Sequence, residues 1–327
     1  MKTLTSVLLS AAFLLLAPDA SAQARSQAQS YPSGVVKLIV PYPPGGVVDL
    51  TGRLLAAQLE KQLGGTVIVE NRPGAGGTIG AHHVARAAPD GQTLLIAGAA
   101  THAFGPHVFK ALPYDPLKDF VPITQVTEGP LLLVVNAASD LKTLADFVRR
   151  FKSLGQATNY ASNGNGTYPH LAVELLKQNA GFDSTHIPYK GGGQAVMALL
   201  GNEVDFSLNH IPIVLPQVKA GKLRALATSG AGRSSSYPDL PTLKEGGFDV
   251  VASAWFGLFA PANTPAPIID RLYRATRDAL RTPELSKAIL AQGDEIVVDG
   301  PQKFLAFQKG ELQKWGGVIR AAGLKPD

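Results

Sequence analysis

Between Lys37 and Gly80 the chain reads KLIVPYPPGGVVDLTGRLLAAQLEKQLGGTVIVENRPGAGGTIG, which is strand, Gly-rich turn, helix, strand, Gly-rich turn, helix. This alternation constrains the fold more than any other feature. Strands that pass through a tight turn into a helix, one after another, call for an α/β sheet with mostly parallel strands. The two turns also bring backbone N–H groups to helix N-termini, where roughly half a positive charge and unpaired donors suit a carboxylate or phosphate. Two such turns opening on one crevice make an anion-binding cleft.

The alternation continues along the chain. Candidate strands are Val36–Val40, Thr66–Glu70, Thr93–Ala97, Val121–Val126, Leu131–Asn136, Thr158–Ala161, Thr185–Tyr189, Asp205–Asn209 and Leu223–Thr228. Apolar runs without polar alternation fit a sheet covered on both faces. Helical patterns fill the gaps; in Asp49–Leu63, for example, Leu50, Leu54, Leu55 and Leu59 keep a largely apolar face. After the polar loop Gly230–Pro238 come one aromatic strand, Trp255–Ala260, and three helices, Pro265–Arg281, Pro283–Gln292 and Pro301–Ala322. Each of these helices opens with a proline suited to the first turn. This tail has too few strands for a sheet of its own, so it is expected to pack back on the first α/β unit. Residues 31–123 with 230–327 then form one domain and 124–229 the other, joined by crossings near Pro122–Thr127 and Thr228–Gly230.

The first residues read as an export signal. Lys2 supplies a positive end, Val7 to Ala17 form a short apolar run, and Ala20-Ser21-Ala22 is a small-residue cleavage site. Residues 1–22 are therefore expected to be removed, leaving a soluble exported chain that starts near Gln23. The roughly 300 residues that remain fit two domains on size. There is no cysteine, which excludes disulfides and thiolate metal sites. The net charge of +5 is spread without a Lys/Arg run, which argues against nucleic acid and is compatible with an acidic ligand.

In the first turn, Pro41 to Asp49, the prolines fix the strand exit, Gly45 and Gly46 allow close backbone approach, and Asp49 falls in the first helical turn. A plain strand-to-helix connection accounts for the same residues. The second turn, Asn71 to Gly80, does not fit a dinucleotide fingerprint, because Ile79 stands where its third glycine is needed. Thr78, at the helix start, is the better-motivated anion contact. A third turn, Ser162-Asn163-Gly164-Asn165-Gly166-Thr167, offers two hydroxyls and several N–H groups from the other domain, or simply caps a helix with Thr167. Pro188 to Gly193 repeats the pattern, and Asp205 either faces the cleft or is a turn residue.

Catalytic patterns are missing from the sequence: it contains no G-x-S-x-G, no H-E-x-x-H and no P-loop. His82 and His83 are adjacent, and His102 and His107 lack i,i+4 spacing, so neither pair reads as a metal site. His170 is the one histidine expected near a ligand. Tyr42 and Trp255 could stack on an aromatic group, with core packing the alternative for Trp255.

The motifs PYPPGGVVDLTGR (41–53), VIVENRPGAGGTIGA (67–81), APDGQTLL (88–95), LPYDPLKDFVPI (112–123), GNGTYPHLAVELL (164–176), IPYKGGGQAVMALLGNEVD (187–205) and WFGLFAPANTP (255–265) cover nearly the whole chain. In this order they resemble the Bug family of periplasmic receptors, the solute-binding component of tripartite tricarboxylate transporters. The resemblance implies a two-domain periplasmic binding protein fold of type II-like topology. Each domain would be a mixed sheet flanked by helices, with the ligand in the cleft between them. It further implies a periplasmic, non-enzymatic, cofactor-free monomer that closes on a small carboxylate (a di- or tricarboxylate, an acidic amino acid or an aromatic acid) and then docks on membrane permease subunits. By the same resemblance the proximal carboxylate falls to Tyr42, Gly45, Gly46, Asp49, Gly76, Gly77 and Thr78. The distal end falls to Ser162, Gly164, Thr167, His170 and Asp205. Two other readings remain: an exported hydrolase built on His170 and Asp205, and a ligand sensor for a membrane signalling partner.

Overall fold

The computed structural model describes residues 31–154 and 157–324, so the expected signal peptide lies outside the described residues. Strand β1 (Val36–Val40) lies between β2 (Val67–Asn71) and β3 (Thr93–Gly98), all parallel. Helix α1 (Val47–Leu63) connects β1 to β2 and buries Leu55, Leu59 and Leu63 against the sheet. It ends where Gly64 takes a left-handed conformation, φ 71°, and donates its N–H to the Glu60 carbonyl, a glycine stop. A 3₁₀ turn (Ala75–Gly77) and helix α2 (Thr78–Ala85) lead from β2 to β3. A π-helical turn (Ala100–Phe104) and the short α3 (Gly105–Val108) follow β3.

Strand β4 (Phe120–Asn136) is one continuous strand of 17 residues, where the sequence predicts two. Gly129 and Pro130 look like a break locally. Long-range pairing overrides them, because β9 (Ser253–Pro261) runs antiparallel along β4 as far as Pro130 opposite Ser253. From Leu131 onward β4 pairs instead with β7 (Phe206–His210) and β8 (Leu223–Thr228), both antiparallel. The change of neighbours therefore falls at Pro130/Leu131, later than the expected Pro122–Thr127. At Thr228–Gly230, Ser229 accepts the Leu131 N–H at 2.9 Å and donates to the Ala252 carbonyl, so one buried hydroxyl ties three segments together. Strands β5 (Asn159–Ser162) and β6 (Thr185–Pro188) complete the second part, parallel to β7, and the two-residue β10 (Glu295–Ile296) adds to the β4 edge.

Helices α4 (Leu144–Leu154), α5 (Tyr168–Ala180), α6 (Gly192–Leu200) and α7 (Ile211–Lys219) pack around the second part. The C-terminal helices are α8 (Ala266–Leu280), α9 (Pro283–Ala291) and α10 (Pro301–Ala321). Ile269, Leu272 and Leu285 of the C-terminal helices share one core with Leu38, Leu55 and Leu59. Trp315 of α10 belongs to a larger core that runs through both parts, with Phe104, Tyr168 and Phe206.

Strand directions decide where a site can form. Strands β1, β3 and the first stretch of β4 run the same way, so their carboxyl ends share one edge. Strands β5 and β7 run against β4, which brings their carboxyl ends back to the Pro130/Leu131 crossing; His210, the last residue of β7, lies opposite Leu131. Carboxyl ends of both parallel sets thus face each other at the crossing, the place where open α/β sheets bind ligands. Among the described residues no helix is long and apolar enough to cross a membrane.

Candidate functional site

A cavity of about 830 Å³ opens at that crossing. Its wall takes Tyr42 and Val48 from the first turn, Gly76 from the second, Ala99, Ala100, Phe104, Val108 and Phe109 from the segment after β3, and Asn165 to Tyr168 from the third turn. His210, the β9 residues Ala254 to Phe256, and Gly323 with Leu324 close it. None of these lining residues carries a formal charge at neutral pH. Burial pushes the His210 imidazole down to about 4 and the Tyr42 phenol up to about 12, so both are neutral there.

Among the sequence-predicted residues, Tyr42, Gly76 and Thr167 line the cavity and the others stand behind its wall or away from it. Asp49 is buried, and its carboxylate accepts the Gly45 N–H at 2.9 Å, the Arg53 Nε–H at 3.1 Å and the Asn71 Nδ2–H at 2.9 Å. Burial alone would raise its pKa; the bonds from Gly45, Arg53 and Asn71, with the Arg53 charge, bring it below the usual carboxylate value. Asn71 also donates to the Tyr42 carbonyl, so Asp49 fixes the first turn to the end of β2. Gly45, at φ 87°, and Gly46, the residue before α1, shape that turn.

Thr78 differs from expectation. Its hydroxyl and its N–H both donate to the Ala75 carbonyl, so both donors close the 3₁₀ turn rather than face the cavity. Gly77, at φ 98°, packs so tightly that a Cβ would lie 3.0 Å from Thr101 Cγ2 and 3.3 Å from Tyr42 Cε1. The second turn is therefore built around glycine for packing as well as for approach.

In the third turn Thr167 stands just before α5, as a cap would, but its hydroxyl donates to the Gly164 carbonyl at 2.7 Å and makes no helix cap. Ser162 is buried at 2.6 Å from His186 Nε2 and also accepts the Gly164 N–H. His170 does not line the cavity. Its Nδ1 accepts the Gly166 N–H at 3.0 Å, and its ring stacks on His186 with centroids 3.8 Å apart. Burial pushes both rings down to about 4, helped at His170 by the Lys177 charge and at His186 by its neighbour.

Asp205 is a correction. It precedes β7, whose carboxyl end is at the cavity, so it lies at the opposite edge, about 16 Å away at the usual rise per strand residue. There its carboxylate accepts the Asn159 N–H at 2.8 Å, and its own N–H donates to Asn159 Oδ1. His170 and Asp205 consequently form no acid–base pair. The one serine–histidine contact of the third turn, Ser162 with His186, is partly buried beside the edge strand β6 and does not line the cavity. Among the described residues no cluster of His, Asp and Glu could hold a metal ion.

Sequence reasoning missed Phe104, Val108, Phe109, His210 and Phe256. The strand-end rule applied to Phe206–His210 could have found His210; the aromatics carry only an apolar signal that core packing also produces. Trp255 borders the cavity, but at 1% exposure its indole packs on Phe304 and Phe307 and donates its N–H to Glu311 of α10 at 3.0 Å. Tyr168 packs on Phe104 and Trp315, and its hydroxyl donates to the Ser253 carbonyl at 2.6 Å, tying the third turn to the crossing.

Comparison with known proteins identifies the family and the fold. A family profile described as "Tripartite tricarboxylate transporter family receptor" matches residues 51–324. Protein BugT of Bordetella pertussis is 39% identical over 300 residues, covering 91% of this chain and 92% of that protein. Among solved structures, R. palustris Rpa4515 with adipate superposes with a TM-score of 0.77 at 30% identity, covering 91% of this chain and all of that one. MatC from Rhodopseudomonas palustris with bound malate superposes with a TM-score of 0.72 at 33% identity, covering 88% of this chain and all of that one. The fold is the two-domain α/β fold of periplasmic binding proteins. The chain belongs to the tripartite tricarboxylate transporter receptor family, the Bug-type solute-binding receptors.

Proposed function

We propose that this receptor is exported to the periplasm after loss of residues 1–22, captures a small carboxylate in the cavity by closing its two halves, and delivers it to the membrane subunits of a tripartite transporter. It acts as a monomer without a cofactor. The halves are those read from the sequence, with the first crossing moved to Pro130/Leu131. The observation that carries this reading is the start of α1. Val47, Val48 and Asp49 head a 17-residue helix with no side-chain cap, beside a cavity lined by Val48. N–H groups in a first helical turn have no intrahelical partner and sit at the positive end of the dipole. A carboxylate there replaces its hydration with fixed backbone donors, and closure excludes water.

Two relatives of similar length were solved with carboxylates, adipate and malate, which supports an acid as the ligand. A thermal-shift screen of the purified protein against mono-, di- and tricarboxylates tests the reading. A ligand that binds only the native state stabilises it by about 2.7 kcal/mol at a hundredfold excess over Kd. A saturable shift with a carboxylate is expected; a carboxylate-indifferent protein that is stabilised by cations or neutral sugars would contradict it.

A further inference from the structure

The turn between α9 and β10 touches both halves beside the crossing. Gly293, buried and at φ 80°, lies so close to Ile211, the first residue of α7, that a Cβ on it would be 2.5 Å from Ile211 Cγ2. Next to it the Asp294 carboxyl packs on Gly129 of β4: its Oδ1 takes the place a Cβ there would fill, with its Cγ 2.9 Å from that point. Gly129 immediately precedes Pro130, where β4 changes neighbours. Residues 292–294 belong to the first half and Ile211 to the second, so this turn is held between the crossing strand and the helix that follows His210 of the cavity wall. On the cavity side the halves meet as well, since a Cβ on Gly166 would lie 3.7 Å from Val108 Cγ1. A rotation about the crossing that parts Val108 from Gly166 also moves Ile211 relative to Gly293. The groups around Asp294 are acidic or neutral. Glu295 follows it, and Glu128 lies opposite Glu295 in the ladder. Glu295 accepts the N–H and the hydroxyl of Ser235, Gln292 donates its amide to the Ala288 carbonyl, and burial keeps the His210 imidazole neutral. Burial first, and the Glu295 charge second, push the Asp294 carboxyl up to about 7; among the described residues no cation or hydrogen-bond donor offsets them.

We propose that Asp294 is a proton-sensitive wedge between the halves: protonated, it seats on Gly129 and holds the turn against α7; ionised, it draws water to the crossing and lets the halves rotate. This deepens the receptor reading and rests on the closing of its two halves. A carboxyl whose pKa is raised in one arrangement favours that arrangement at low pH. The preference is lost as pH rises from the ordinary carboxylate range through about 7. An unpaired charge in this place costs more than a neutral acid of the same shape, so the ionised turn gains by exposing itself. Asparagine has that neutral shape and cannot ionise. Asp294→Asn should therefore keep the low-pH arrangement at every pH.

Because the chain has no cysteine, spin labels attach only where one is introduced. Ala57→Cys in α1 and Met197→Cys in α6, both exposed positions, put one label on each half. Their separation is measured by pulsed electron resonance on the ligand-free protein from about pH 5.5 to 7.5, where the histidines held near 4 stay neutral. In the labelled parent the ratio of two distance populations should change at least about threefold over this range. With Asp294→Asn added, the ratio should stay at the parent's low-pH value. Glu295→Gln keeps an oxygen for Ser235 and removes the neighbouring charge, so it should move the change to lower pH. Two populations whose ratio ignores pH, or an Asp294→Asn protein that responds as the parent does, would overturn the proton link and leave the moving halves standing. A single distance at every pH would overturn the inference as well. The carboxylate thermal-shift screen needs no movement in the ligand-free protein, so it still decides the receptor reading separately.

Discussion

An acidic side chain beside an anion site repels its ligand unless its charge is engaged elsewhere, and Asp49 engages its charge with Gly45, Arg53 and Asn71. Its spacing from the glycines was legible in the sequence; its partners were not, because Asn71 comes from the next strand. Asp49→Ala frees the first turn and leaves the Gly45 N–H and the Asn71 amide without their acceptor. Stability should fall by roughly 1–3 kcal/mol and carboxylate affinity should fall with it, while Asp49→Asn retains part of both. Urea unfolding and titration of the two variants check this; unchanged affinity in a destabilised Asp49→Ala protein would separate the turn from binding. Gly77→Val meets two obstacles, the left-handed φ of 98° and a Cβ 3.0 Å from Thr101 Cγ2. It should cost roughly 2–3 kcal/mol and displace Tyr42 from the cavity wall. A wild-type melting temperature would show that the turn can relax.

At the scale of elements, α10 and the stacked histidines hold the cavity from behind. Glu311 accepts the indole N–H of Trp255 at 3.0 Å and that of Trp315 at 2.8 Å, and pairs with Lys314. Glu311→Ala leaves two buried donors unmet, so a loss of roughly 2–4 kcal/mol is expected, with a shift in tryptophan emission; Glu311→Gln, which still offers an oxygen, should lose less. Equal stabilities of the two variants would contradict this role. Under the third turn, His170 and His186 are held neutral in the native state, each pushed to about 4 chiefly by burial. The unfolded chain takes up these protons near pH 6.5 and the native state only near 4, so their contribution is present above 6.5 and is lost as pH falls through that interval. Asp294 acts in the opposite direction, its pKa raised to about 7 by burial and by Glu295. The contrast that isolates the histidine is therefore wild type against His186→Gln: melting temperatures from pH 7 to 4 should fall less steeply in the variant. Parallel curves would remove the histidines from the account.

For the whole molecule, the α/β class, most strands and the return of the C-terminal helices were legible, because local periodicity and proline-opened helix starts are written in consecutive residues. The continuity of β4 was not. Gly129 and Pro130 signal a break, and only antiparallel pairing with β9, more than a hundred positions away, carries the strand through to Pro130. Of the cavity wall, Tyr42, Gly76 and Thr167 in the turns were legible in the sequence and the far wall was not. His210, Phe104 and Trp255 come together through strand direction and the crossing, which no single segment reveals. Asp205 misled for the same reason, since its place at the wrong end of β7 follows from the sheet and not from the acidic residue. The proposed capture depends on a carboxylate being held by backbone donors at the start of α1 without a cationic side chain. A crystal structure of the protein saturated with its tightest carboxylate tests that claim most directly. Carboxylate oxygens are expected about 3 Å from the N–H groups among Val47, Val48 and Asp49, with the ligand body inside the cavity. A carboxylate paired with lysine or arginine, or a ligand seated outside this cavity, would contradict it.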